Sequence, residues 1–259
     1  VKHPKVVVTP HLGASTTEAQ REVAREVAEQ VLAVLNGQPA RYTVNLPFLP
    51  PEIHAVVAPY LPVASTLGKL VTQLAEGQFI SINISYEGEI ARYENATLKA
   101  AILMGLLEPV SSERVNLINA PLMASQRGLK VIEQKGNATE HYSSLLTVTL
   151  NTSAGSTCLA GTLMRGETHI VRVNNYWLDM TPSGPYLVFI EHRDRPGLIG
   201  AVGTITGRND VNISFMEVGR LAPREQAMMV LGLDDQVPPN VLAEIRAIPH
   251  IFSAKVVKL

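Results

Sequence analysis

Apolar residues recur at every fourth position through Ala19, Val23, Val27, Val31 and Leu35, with Glu22, Arg25, Glu26 and Glu29 between them. That spacing predicts an amphipathic helix, stopped by the turn signal Asn36-Gly37. Ahead of it, "STTE" (15–18) has the capping-box form, in which the Ser15 hydroxyl accepts from the Glu18 N–H and the Glu18 carboxylate reaches back. The β-branched run "KVVVTP" (5–10), ended by proline, reads as a buried strand. Strand, histidine loop and capped helix make one supersecondary unit rather than a domain. Since the chain opens on Val1 and not on methionine, an upstream segment is expected.

The stretch 45–62 carries five of the 17 prolines and reads as a connection into a new domain, because proline interrupts a helix interior. Leu67, Leu70, Val71 and Leu74 then share a helical face, with Gly77 as the stop. Period two takes over at 79–89, where Ile80, Ile82, Ile84 and Tyr86 point one way. A helix through Leu98, Ile102, Leu106 and Leu107 and a shorter one over 118–128, with Pro121 in its first turn, precede a run of strands. These are "KVIEQKG", "LLTVTLN", "STCLAGTLM" and "THIVRVNNYWLDM", broken by turn signals at 151–155 and at Arg165-Gly166. The block reads as a helix-then-strand α/β domain ending near Pro182.

The final part is ordered strand ("YLVFIEHR"), helix ("PGLIGAVGTITGRND"), strand ("NISFMEVGRL"), strand ("EQAMMVLGLD"), helix ("PPNVLAEIRAI"), strand ("IFSAKVVKL"). This βαββαβ order predicts a ferredoxin-like unit, one four-stranded antiparallel sheet with both helices on one face. Such a unit leaves a sheet edge and one open face, so a homo-oligomer through this domain is expected, with "YLVFIEHR" apolar enough to serve as an interface strand.

Composition narrows the function classes. With 46% hydrophobic and 17% charged residues and a net charge of −1, the chain has material for real cores and no electrostatic footprint for nucleic acid or anionic membrane. No run approaches the ~20 apolar residues of a membrane span, and a cytoplasmic location is the default. The single cysteine, Cys158, excludes an internal disulfide and reads as a buried structural thiol. No metal site is expected.

Candidate chemistry sits in two loops. His11 lies between the first strand and its helix, where α/β enzymes place functional groups, with a solvent-facing side chain as the alternative. The glycines of "PGLIGAVGTITG" do not form the G-x-G-x-x-G dinucleotide fingerprint. Gly203 and Gly207 read as close packing of the helix on its sheet. Gly197 and Gly200 instead sit at the helix start, where free N–H groups favour an anion. Asp194 beside them is either a helix cap or a carboxylate placed to hold an ammonium group, and Asn212 can donate and accept.

"VVVTPHLGAST" resembles the end of the cofactor-binding domain in D-2-hydroxyacid dehydrogenases, specifically the D-3-phosphoglycerate dehydrogenase branch. "HRDRPGLIG" with "NDVNIS" resembles the effector loop of ACT domains, and "INAPLMASQRGLKV" the intervening domain of the long form of that branch. The resemblance covers the whole chain and implies three parts: a remnant of the catalytic region at 1–44, an α/β intervening domain at 45–183 and a ferredoxin-like βαββαβ ACT domain at 184–259. It implies that His11 exchanges a proton with the substrate's C2 hydroxyl in a parent enzyme that uses NAD, while this chain alone binds no NAD. The parent reaction it implies is oxidation of 3-phosphoglycerate to 3-phosphohydroxypyruvate, the first step of serine synthesis. The partners implied are L-serine, a second copy of the chain and the missing catalytic domains. The serine site carried over comprises His192, Asp194, Pro196, Gly197, Leu198, Ile199 and Asn212, at the seam between two subunits. Some members bind an anionic effector in the intervening domain, for which Arg127, Lys130 and Arg172 are candidates, with solvated surface side chains as the favoured alternative. His169 stands where some relatives have lysine, which weakens that site. Two other readings stay open: an amino-acid-sensing protein with no enzyme attached, and an RNA-recognition module. The second is disfavoured because the central strands offer no stacking aromatic beyond Phe215.

Overall fold

A computed structural model describes residues 3–36, 41–42, 44, 51–136 and 141–259, with the backbone alone at Pro51. The chain divides into two compact units, Val1–Phe48 and Leu49–Leu259.

In the first unit, helix α1 spans Thr17–Leu35. Its cap is Thr16, not Ser15: the Thr16 hydroxyl accepts from the Ala19 N–H at 3.1 Å. The helix therefore starts one residue later than the capping-box reading places it. Glu18 stays in the first turn, where it complements the helix dipole, but has no reciprocal bond to make. The four-residue stripe is present and solvent-facing, with no residue of α1 buried. Residues 5–10 are not a strand, and Val7 is 92% exposed. Among the described residues nothing pairs with this segment, and a lone strand cannot satisfy its backbone through a ladder.

The second unit opens with α2 (Pro51–Val57), a 3-10 turn at Ala58–Tyr60 and α3 (Leu61–Leu74). The part of the proline stretch from residue 51 on is thus helical, contrary to its reading as a connection; residues 45–50 lie outside the described set. Pro59 and Pro62 each fall in the first turn of a new segment, where a missing N–H leaves no bond unmade. Taken together, Glu52–Leu74 is long and apolar enough to cross a membrane, unlike anything expected from the sequence, but half of its apolar window is buried in the core.

The core of this part lies between α3, α4 (Ala96–Leu107), the shorter α5 (Ala120–Gln126) and a six-stranded sheet. The strands are β1 (Phe79–Gly88), β2 (Lys130–Lys135), β3 (Ser144–Thr152), β4 (Gly155–Met164), β5 (Glu167–Val173) and β6 (Tyr176–Met180). Their order is β2-β1-β3-β4-β5-β6, parallel only between β1 and β2. The helices α3 and α4 meet backbone to backbone. A Cβ at Gly68 would lie 2.2 Å from the Ile102 carbonyl oxygen, and one at Gly105 2.1 Å from that of Ser65. The Thr72 hydroxyl crosses the same contact to the Leu106 carbonyl at 2.7 Å. The segment "THIVRVNNYWLDM" is a hairpin rather than one strand. Asn174 takes a left-handed φ of 50°, which asparagine tolerates, and reverses the chain there. Cys158 on β4 is half-buried, less enclosed than expected.

The chain then forms β7 (Tyr186–Arg193), α6 (Leu198–Arg208), β8 (Ile213–Arg220), β9 (Gln226–Leu233), α7 (Pro239–Ala247) and β10 (Ile251–Lys258), with sheet order β10-β7-β9-β8 and every pairing antiparallel. This is the expected ferredoxin-like arrangement. Val188, Ile190, Met229 and Leu231 pack under α6 and α7. The opposite face is not open: Leu187, Phe189, Met228, Val230 and Val257 belong to the same core as the six-stranded sheet. Nor can "YLVFIEHR" serve as an interface edge, because β7 lies between β10 and β9. The edges are β10 and β8. Gln73 bonds both backbone groups of Lys258, at 2.8 and 2.9 Å, which ties β10 to α3. Among the described residues, β8 pairs with β9 alone.

Candidate functional site

The loop between β7 and α6 is shaped by Gly197, whose φ of 91° a side chain would strain. Gly197 caps α6 with no side-chain hydrogen bond, so the first turn presents backbone N–H groups outward. The Leu198 N–H turns back to the Arg195 carbonyl at a long 3.4 Å. Leu198 itself is buried, while Ile199 is 52% exposed.

The β8–β9 hairpin stitches onto this loop. The Asp194 N–H donates to the Glu225 carbonyl at 2.7 Å. The Asp194 Oδ2 accepts from the Arg224 N–H at 3.0 Å and faces Arg220 Nη1 at 3.5 Å. The Arg224 N–H is the main influence holding the Asp194 carboxyl below its usual range, against desolvation and helped by Arg220 and His192. Asp194, Arg195, Pro196, Gly197 and Ile199 from the loop, with Arg220, Pro223 and Arg224 from the hairpin, enclose an open depression of about 360 Å³. His192 is buried behind it on β7. Its Nδ1 lies 3.0 Å from the Arg193 carbonyl, and its Nε2 has no hydrogen-bond partner among the described residues.

Asn212 is elsewhere. It follows α6 at the far end of an eleven-residue helix, about 16 Å along the axis. There its amide donates to Asp234 Oδ2 at 2.5 Å. A single chain thus gathers Asp194, Pro196, Gly197 and Ile199 but not Asn212. Sequence reasoning missed Arg195, Arg220 and Arg224 as site members, treating the hairpin "RLAPRE" only as a turn; its clustered charges were the available signal.

The glycine face of α6 also differs from expectation. A Cβ added at Gly200, Gly203 or Gly207 meets no atom within 4 Å. Val202 and Ile205 face the sheet instead, so Gly203 and Gly207 are not the packing surface.

The anion candidates of the middle block separate. Arg127 caps α5 and bonds the Val110 carbonyl and the Ser111 hydroxyl, and Lys130 starts β2. Arg172 lies on β5, four strand spacings from β2, about 19 Å away. Its Nε donates to the Asn174 carbonyl at 2.7 Å and its guanidinium lies 5.7 Å from the centre of the Trp177 ring. His169 pairs with Asp179 at 2.6 Å. In the first unit, His11 is exposed in a bend ahead of α1. Among the described residues no group of three or more His, Cys, Asp or Glu side chains is placed to hold a metal ion.

Two family models match parts of the chain. The D-3-phosphoglycerate dehydrogenase intervening domain matches residues 56–174, and the ACT domain matches residues 186–250. A D-3-phosphoglycerate dehydrogenase of Synechocystis sp. is 43% identical over 256 residues, covering 98% of this chain and 46% of the relative. Those of Bacillus subtilis and Methanocaldococcus jannaschii are each 36% identical, covering 100% and 98% of this chain and 49% and 48% of the relative. The chain therefore spans just under half the length of the curated relatives it matches.

Proposed function

Since the chain belongs to the D-3-phosphoglycerate dehydrogenase family, we propose that it is the regulatory C-terminal portion of such an enzyme and that its ACT domain senses L-serine. In the longer polypeptide the catalytic region oxidises 3-phosphoglycerate to 3-phosphohydroxypyruvate with NAD. His11 is the one residue of this chain that would serve that step, exchanging a proton with the C2 hydroxyl. The solvent-facing apolar stripe of α1 (Val23, Val27, Val31) is the surface this unit offers to the catalytic domains.

The observation that carries the sensing role is the separation of Asp194 from Asn212. Both flank β8, an edge strand that pairs with β9 alone among the described residues, at its opposite ends. Two copies paired antiparallel along β8 about a two-fold axis set the start of one strand against the end of the other. Asn212 of the partner subunit then stands beside Asp194 and Arg220, and the bare glycine faces of two α6 helices meet. A zwitterionic amino acid in that seam finds Asp194 for its ammonium, the α6 N–H groups for its carboxylate, and the partner's Asn212 for its hydroxyl. Titration calorimetry with L-serine tests the reading. Saturable binding lost in Asp194→Ala supports it, and no heat at millimolar serine contradicts it.

A further inference from the structure

Where the β3–β4 turn approaches β7 and β10, the two sheets leave an open depression of about 280 Å³, and seams of this kind are common places for small ligands. Glu191 of β7 enters it from one side. Its Oε1 accepts from the Tyr176 hydroxyl at 2.7 Å, and Tyr176 is only 3% exposed. A fixed donor thus holds the carboxylate, while Oε2 makes no hydrogen bond among the described residues. Ser253 stands opposite Glu191 across the β10–β7 ladder, and Ser156 and Thr157 of β4 line the same depression. The cation at hand is already engaged: Lys255 Nζ donates to the Leu74 carbonyl at 2.7 Å and pairs with Glu76 Oε1 at 2.7 Å. Lys255 and Glu76 cancel, and Glu191 is the charge left over, among hydroxyls that both donate and accept.

From this arrangement we propose that the seam is a binding site for a small amino alcohol, separate from the effector loop at Asp194. The ammonium pairs with Glu191, and the hydroxyl bonds among Ser156, Thr157 and Ser253. A carboxylate on the ligand finds no receiver, because Lys255 is committed, and it is repelled by Glu191; amino acids are therefore disfavoured here. An uncharged diol keeps the hydroxyl bonds but forgoes the charged one, which is the stronger. One charge-assisted hydrogen bond with one or two neutral ones corresponds to about millimolar affinity, and loss of the charged one to about tenfold.

The test is an amide-shift titration of the whole chain by nuclear magnetic resonance with 2-aminoethanol, ethylene glycol and glycolate, at constant ionic strength. The expected result is saturable shifts at Thr157, Glu191 and Ser253 with 2-aminoethanol at about millimolar concentration, and binding at least about tenfold weaker for the other two. Glu191→Gln removes the charge but keeps an oxygen for Tyr176, so the fold should persist while 2-aminoethanol binds about tenfold more weakly. Asp194→Ala should leave its affinity unchanged. The comparison of probes in the parent chain stands whatever the stability of either variant. Equal binding of the three probes, shifts confined to other residues, binding that survives Glu191→Gln, or no saturation by 2-aminoethanol at about 50 mM would each overturn the proposal.

Discussion

Replacing Gly203 with alanine separates what the α6 glycine face does within a chain from what it does between chains. Within the chain an added methyl meets nothing within 4 Å, so the only local effect is on the helix. Glycine in a helix interior is less favourable than alanine by roughly 0.5–1 kcal/mol, and Gly203→Ala should stabilise the isolated chain by that amount. Between chains the sign reverses. If two α6 helices meet across a two-fold axis, one substitution places two methyls in the seam. Overpacking of that kind costs about 1–3 kcal/mol, which weakens the dimer by roughly five- to 150-fold. Urea unfolding at concentrations far below the dimer constant reads the first effect, and sedimentation equilibrium over a concentration series reads the second. A variant less stable as a monomer would mean that the face is packed after all. A variant that dimerises as tightly as the parent would remove α6 from the interface.

Gly68→Ala should behave oppositely, destabilising the chain by more than about 2 kcal/mol in urea, because its Cβ would sit 2.2 Å from a backbone carbonyl that cannot swing away. Asp194→Ala should weaken L-serine binding by about one to two decades in calorimetry, Asn212→Ala by less, and Arg127→Ala not at all. Because its folded-state carboxyl is held below the ordinary value, Asp194 is charged above that value and loses its charge as pH falls. Serine affinity should therefore stay level as pH falls through the ordinary carboxylate range and drop only at pH values below it. The purified chain should neither reduce NAD with 3-phosphoglycerate nor bind NAD at micromolar levels, which an absorbance assay and calorimetry check.

Much of this was legible in the sequence, and what escaped it has identifiable causes. Four-residue spacing fixed α1, and the βαββαβ order of the last part was readable because each element is bounded by Pro, Gly or Asn. Periodicity says that a segment such as 5–10 could be a strand, but not whether a neighbour exists to pair with it. Prolines 59 and 62 read as breaks because a sequence does not reveal which of them open a new helical segment. The small residues of α6 could have faced the sheet or solvent: Gly203 and Gly207 fall on one stripe, Val202 and Ile205 on the other, and only the second is buried. Which strand is an edge depends on sheet order, which the apolar content of β7 does not encode. Asp194 was readable as a site residue from its loop. Arg220 and Arg224 reach it only through the register of β8 on β9, which spacing along the chain does not encode.

If the effector site is completed by a second copy of the chain, as proposed, linkage makes that testable. A ligand held by Asp194 of one subunit and Asn212 of the partner subunit must strengthen the association that forms its site. Sedimentation equilibrium with and without saturating L-serine measures this. The expected result is a dimer whose association constant rises with serine and stops responding to it in Asp194→Ala. A dimer constant unchanged by serine that demonstrably binds, or a chain that stays monomeric while binding it, would mean that the site is complete within one chain.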